Sequence, residues 1–324
     1  MFRKISALLP AISLALMLSI MPLACAGREQ TGQPVNIATA LSATMVPNVD
    51  LDLYVYVNQG TPTKVSRSLL RTPNDITVES LAVWGIVKDD QYSLSGALTF
   101  AAASDASSVS SRIPQQPGIW TKQSDRIIYF VQGNGTESDT VKNAISNNNF
   151  KLFNDSKALA EVAIMPAGGT TKPAAIAVIK PNQAMVNLVK KYTSENTAAT
   201  VQNIFDGAKP QVIVLGLYAS EPIDIADVMQ RAENNTIWDA NLGVLGSINS
   251  IYPGVVFSPI AAKLLDGQNF PKELVGNLTV YKITVNLGKG KTITLLLNVD
   301  GNHVFAAISG KESYAQAMLT GIKR

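Results

Sequence analysis

Residues 278–308 read LTVYKITVNLGKGKTITLLLNVDGNHVFAAI. Three apolar, β-branched runs, Asn277–Leu287, Thr292–Asn298 and His303–Ile308, are separated by Gly288-Lys289-Gly290-Lys291 and by Asp300-Gly301. β-Branched side chains suit a pleated surface, and glycine turns the chain without a steric penalty. Connections this short join strands only in antiparallel fashion, because a parallel pair needs a crossover of about a dozen residues. The segment Leu278–Ile308 is therefore an antiparallel meander, and the fold class that follows is α+β rather than a doubly wound parallel sheet.

Working outward, further strands are expected at Ala174–Ile179 and Gln211–Tyr218, and in the first half at Leu51–Val57, Leu81–Val87, Leu94–Ala101 and Ile127–Val131. The two halves resemble one another. Ile127–Val131 leads through a glycine-containing turn to Glu137-Ser138 and a helix ending near Ile145; Val304–Ile308 leads through Gly310 to Glu312-Ser313 and a helix ending near Ile322. Sliding the chain until Asn36 falls on Asp155 aligns two helix-capping residue types before Ala-rich runs. The same shift places Leu69-Leu70 on Leu188-Val189, both expected in helices. It also places Leu98 on Leu217 in strands, and Asp105, Val109 and Arg112 on Asp224, Val228 and Arg231. We therefore expect two duplicated α+β units, each a mainly antiparallel sheet with helices packed on it. They span residues 36–154 and 155–324, and the second carries its extra length as an insertion near 232–277.

The composition excludes much chemistry. One Cys rules out a disulfide framework and Cys-based metal sites, and one His leaves almost no His-dependent mechanism. Charged residues make up 16% and aromatic residues 6%, while 46% are hydrophobic, enough for a sizeable core. A net charge of +3 offers no basic surface for nucleic acid.

The N-terminus has an address. Arg3 and Lys4 precede an uncharged stretch from Ile5 to Gly27, and small residues follow in Ala24-Cys25-Ala26-Gly27. A positive start, an apolar middle and a small-residue end make a secretory signal over residues 1–24. Leu23-Ala24-Cys25 resembles the lipobox of bacterial lipoproteins, and that resemblance implies acylation of Cys25 and an extracytoplasmic, membrane-anchored body. Two other outcomes stay open: cleavage after Ala26 at an A-x-A site, giving a secreted protein, or an uncleaved anchor. The polar residues 25–35 read as a tether.

Motifs for catalysis are missing from the sequence. Gly288-Lys289-Gly290-Lys291-Thr292 ends like a phosphate loop, but position 285 is Val and a strand follows instead of a helix. Ser-x-x-Lys and Gly-x-Ser-x-Gly do not occur. His303 opens a strand with no orienting carboxylate visible in the sequence, and Asp89-Asp90 reads as a solvated turn. No catalytic residue, metal site or cofactor is assigned. Among the tryptophans, Trp84 and Trp120 read as core, whereas Trp238 lies in the extra segment with Tyr252 and Phe257; these three are the ligand or partner surface. The function expected is that of a membrane-tethered, non-catalytic interaction or structural protein of the cell envelope, with an envelope protein as partner. Its alternatives are a binding protein holding a small or apolar ligand between the units, and an enzyme with a non-standard carboxylate or Ser/Lys site.

Overall fold

The computed structural model describes residues 37–57, 63–65, 67, 69–88, 91–114, 117–133, 135–167, 173–192, 195–219, 242–252, 272–288 and 291–323. The first half runs α1 (Ile37–Ser42), β1 (Met45–Pro47), β2 (Leu53–Val57), β3 (Thr63–Val65), β4 (Ile76–Val78), β5 (Ser80–Lys88), β6 (Gln91–Thr99), α2 (Ala103–Ser110), β7 (Ile119–Ser124), β8 (Ile127–Gln132), α3 (Thr136–Ser146) and β9 (Phe150–Leu152). The second half runs α4 (Ser156–Ile164), β10 (Pro173–Ile179), α5 (Gln183–Tyr192), α6 (Glu195–Ala208), β11 (Pro210–Ala219), β12 (Leu242–Ser250), β13 (Lys272–Val275), β14 (Leu278–Gly288), β15 (Lys291–Asp300), β16 (His303–Ser309) and α7 (Glu312–Thr320).

Twelve of these strands form one antiparallel sheet in the order β13-β14-β15-β16-β12-β11-β10-β2-β5-β6-β8-β7, and the fold is α+β. The segment 278–308 forms the meander its turns dictate, with Ile283 opposite Leu295 and Leu295 opposite Ile308. The two-residue turns Asp125-Arg126 and Gly301-Asn302 occupy equivalent places in the halves. Each opens in left-handed backbone, at φ 51° for Asp125 and 55° for Gly301.

The halves share one topology. Counted along each half, β2-β5-β6-β8-β7 and β10-β11-β12-β16-β15 present their strands in the same order, and a helix follows the strand next to last in each row, α3 after β8 and α7 after β16. They meet where β2 pairs with β10, and this register is itself symmetric. Val55 lies opposite Ala177, and Tyr54 opposite Val178 is matched by Ile176 opposite Tyr56. β13 and β14 extend the second half beyond this shared pattern.

Alternation along the strands builds two core layers. Tyr54 and Tyr56 of β2 point into a layer covered by α1, α3, α4 and α7, through residues such as Leu41, Val141, Val162 and Met318. Leu53, Val55 and Val57 point into the other, which takes in the β3–β4 ribbon, Ala106 and Val109 of α2, and Met185 of α5. All five β2 residues are buried, as a strand covered on both faces requires.

Several alignments inferred from the sequence change. Leu98 lies in β6, the third strand of its half, whereas Leu217 lies in β11, the second strand of its own. Their equivalence fails because β5 and β6 are separated only by residues 89–90, while β11 and β12 are separated by residues 220–241. The stretch 232–277 contains β12, which pairs on both sides with β11 and β16 and is thus an integral central strand. Leu69-Leu70 lies in a turn rather than a helix; Arg71 is left-handed at φ 54° and Pro73 follows, and both leucines are buried. Asp105 lies in the first turn of α2, and α3 is preceded by Gly135 without a side-chain cap. Asp155 does cap its helix, its carboxylate accepting the Ala158 N–H at 2.9 Å.

Candidate functional site

Three elements of the second half converge on one buried carboxylate. Along α4, Ala158, Glu161 and Val162 form the buried stripe, continued past the helix end by Met165, and Glu161 occupies an apolar position on it with 5% exposure. On β12, Ser247 and Asn249 are two residues apart and so share a face. His303 lies directly opposite Asn249 on β16. The Glu161 carboxylate accepts from Ser247 Oγ at 3.2 Å and from Asn249 Nδ2 at 2.5 Å, and His303 Nε2 lies 2.9 Å from its Oε1. The His303 ring stacks on Phe305 with centroids 5.4 Å apart.

A buried carboxylate is tolerable only when its lone pairs are met, and here Ser247, Asn249 and, in the tautomer with its proton on Nε2, His303 meet them. Ser247 donates to Glu161 rather than to His303, so the arrangement is not a nucleophile–base–acid relay. Its physical effect is to fasten α4 to the ends of β12 and β16. Among the described residues, no three His, Cys, Asp or Glu side chains converge as metal ligands.

The same corner carries the exposed residue singled out from the sequence. Tyr252, just past β12, is 53% exposed beside Ile251 at 46%, and its backbone N–H donates to the Ala208 carbonyl at the end of α6. Ser250 N–H donates to the Asn302 carbonyl in the β15–β16 turn, which places Tyr252 at the His303 end of the sheet. Cys25, Trp238 and Phe257 lie outside the described residues. Trp84 is buried in the core and Trp120 packs half-buried against it.

A second polar group marks the seam between halves. The Asp52 carboxylate, just before β2, accepts from the Val87 N–H at 2.8 Å and from Asn182 Nδ2 at 2.8 Å. Asn182 Oδ1 in turn accepts the Met185 N–H at the start of α5. Burial pushes the Asp52 carboxyl above its ordinary value, against the pull of those hydrogen bonds. Just past β10, Lys180 pairs with Asp155 at 2.5 Å. Burial opposes ionisation of Asp155, but the Ala158 N–H and the Lys180 ammonium outweigh it and lower its pKa.

Sequence reasoning assigned no role to Glu161, Ser247 or Asn249. The available signal was a Glu on the apolar stripe of a short helix, a position where an unpaired charge would not be buried.

No protein-family model matches the sequence, and no curated protein matches it. Among solved structures the chain is similar to crystal form III of TP0453, 8% identical, and to crystal form I, 11% identical. In both cases the match covers 91% of this chain and 100% of the other, with a TM-score of 0.35.

Proposed function

We propose that the protein is exported, held at a membrane through a lipid on Cys25, and works there as a non-catalytic interaction or structural protein of the cell envelope. The observation that carries this reading is the seam. β2 and β10 bond strand to strand from Leu53–Ile179 to Val57–Ala175, so the halves form one continuous sheet. A ligand held between the units would need a gap there, and clefts between units are where such sites arise. The filled seam therefore favours the interaction reading over the small-ligand alternative. The Glu161 group, the most concentrated polar cluster described, has its hydrogen-bonding capacity turned inward, which also favours a scaffold over an enzyme. The surface around Ile251 and Tyr252 is where an envelope protein would bind, since an exposed tyrosine beside an apolar neighbour makes an effective anchor.

Mass spectrometry of the protein taken gently from its own host tests this reading. A denatured mass for an acylated chain beginning at Cys25, together with a native mass containing a second polypeptide, is the expected result. A chain beginning at Gly27 removes the lipid anchor. A retained small molecule instead of a polypeptide overturns the interaction reading in favour of a binding protein.

A further inference from the structure

We infer that the β1–β9 ribbon is the face that the body turns to the bilayer, an inference that rests on the tethered reading above. β1 and β9 form their own two-stranded sheet, apart from the twelve-stranded one, with Met45 directly opposite Leu152. Both side chains are large, apolar and more than half exposed, at 51% and 53%. Directly opposed residues in an antiparallel pair lie roughly 5 Å apart, so the two form one continuous apolar patch rather than scattered surface residues.

The position of this patch selects its occupant. The chain enters the described body at Ile37, and α1 spans only six residues before the turn into Met45. At 1.5 Å rise per residue α1 spans about 9 Å, and the three residues to Met45 add at most about 10 Å, so Met45 lies within about 20 Å of the tether's point of attachment. The residues between Cys25 and Ile37 reach at most roughly 40 Å when fully extended. An acyl group on Cys25 therefore keeps the ribbon permanently near the headgroups, and a weak apolar contact acts at high effective concentration. Charge agrees with this. Residues 37–49 and 140–154 contain no Asp or Glu, and the second stretch contains Lys151 beside Leu152; its other cation, Lys142, pairs with Asp139 at 3.0 Å. An anionic surface thus meets no carboxylate in these segments. Tyr92, another exposed hydrophobic at 54%, lies at the far end of α3, where its carbonyl adjoins Gly133, and so serves as the internal reference.

The test uses the full acylated protein, in which Met45→Cys, Leu152→Cys and Tyr92→Cys are labelled one at a time with an environment-sensitive dye. Each is bound to phosphatidylethanolamine–phosphatidylglycerol vesicles carrying a nitroxide near the headgroup. Apolar faces that lie in the interface sink about 5–10 Å, so dyes at 45 and 152 should lose fluorescence about twofold, and the dye at 92 should lose little. Protein that floats with the vesicles but shows equal quenching at all three positions, or none at 45 and 152, overturns the ribbon as the facing surface and leaves the tether standing. Protein that does not float with the vesicles overturns the tethered reading and this inference with it. Where a label at 45 perturbs circular dichroism, exposed Ala43 in the same approach takes its place.

Discussion

The two halves carry the same strand order on different fillings. Matching their paired strands sets Ile127, Thr99 and Ala97 of the first half against His303, Asn249 and Ser247 of the second. The first half fills this layer with apolar and aromatic contacts, including Tyr129 on Phe150 at 5.3 Å and Tyr54 on Phe153 at 4.7 Å. The second half builds the Glu161 group there instead. It also adds β13–β14, fastened to α7 by Lys282, which pairs with Glu312 at 2.8 Å and with Glu273 at 3.3 Å. The same topology thus survives exchange of an apolar layer for a satisfied polar one. Alternation and turn chemistry fix which faces are buried and which consecutive strands pair, and the identity of the buried groups sets only local stability.

The equivalent glycines sharpen the contrast most. Gly96 lies opposite Phe130, and Gly246 opposite Ala306. A Cβ on Gly96 would meet the Ala82 carbonyl oxygen at 2.4 Å and the Phe130 ring at 2.6 Å, whereas on Gly246 it would meet Leu215 Cδ2 at 3.1 Å and the Ala306 carbonyl oxygen only at an ordinary 3.9 Å. Gly96→Ala should cost at least about 3 kcal/mol in a urea-unfolding measurement, because the carbonyl cannot move without disturbing the sheet. Comparable losses at both positions would break the idea that the halves differ in packing rather than in topology.

Next in size is the loss of His303. His303→Ala leaves Glu161 with two of its three partners and should cost about 2 kcal/mol, kept to that size because the His303 side chain is partly exposed. Converting the group to apolar character, with Glu161→Leu, Ser247→Ala, Asn249→Thr and His303→Ile together, should fall within about 1 kcal/mol of the original in the urea midpoint. A severe loss in the fourfold variant would show that the second half depends on its polar group in a way the first does not.

A milder effect is expected at the second glycine. Gly246→Ala should cost about 1 kcal/mol or less, since a leucine methyl can give by a few tenths of an ångström. The smallest effect is at the seam and is read as a pH dependence. Asp155 has a lowered folded pKa, so its stabilisation is present above the ordinary value of 3.8 and fades as pH falls through the folded value. Asp52 has a raised one, so its contribution is present below 3.8 and is lost as pH rises through the raised value. Asp155→Asn should lower the thermal midpoint above pH 4 by the equivalent of about 1 kcal/mol or less and flatten the acid limb, because Asn still caps the helix. An unchanged acid limb would remove Asp155 from the seam's electrostatics.

Much of the architecture was legible from local pattern. Gly301 and Asp300 announced the β15–β16 turn, and the strand–turn–helix passages at Ile127–Ile145 and Val304–Ile322 proved equivalent, β8–α3 against β16–α7. The register between the halves was not legible. One constant shift aligned Leu98 with Leu217, but connections of unequal length let the equivalence drift along the chain, as residues 89–90 against 220–241 show. Of the site, only Tyr252 and His303 were visible beforehand, and His303 without its partner.

The sequence by itself determined that this chain makes antiparallel strands, where its tight turns lie and which strand faces are apolar, because each depends on neighbours a few residues apart. Tertiary structure alone decided that β2 meets β10, that Gly96 and Gly246 are equivalent, and that Glu161 can be buried. Those outcomes depend on contacts between residues more than eighty positions apart, from Glu161 with Ser247 to Glu161 with His303. A carboxylate on a helix stripe carries no mark of the imidazole, amide and hydroxyl that two distant strands will bring to it.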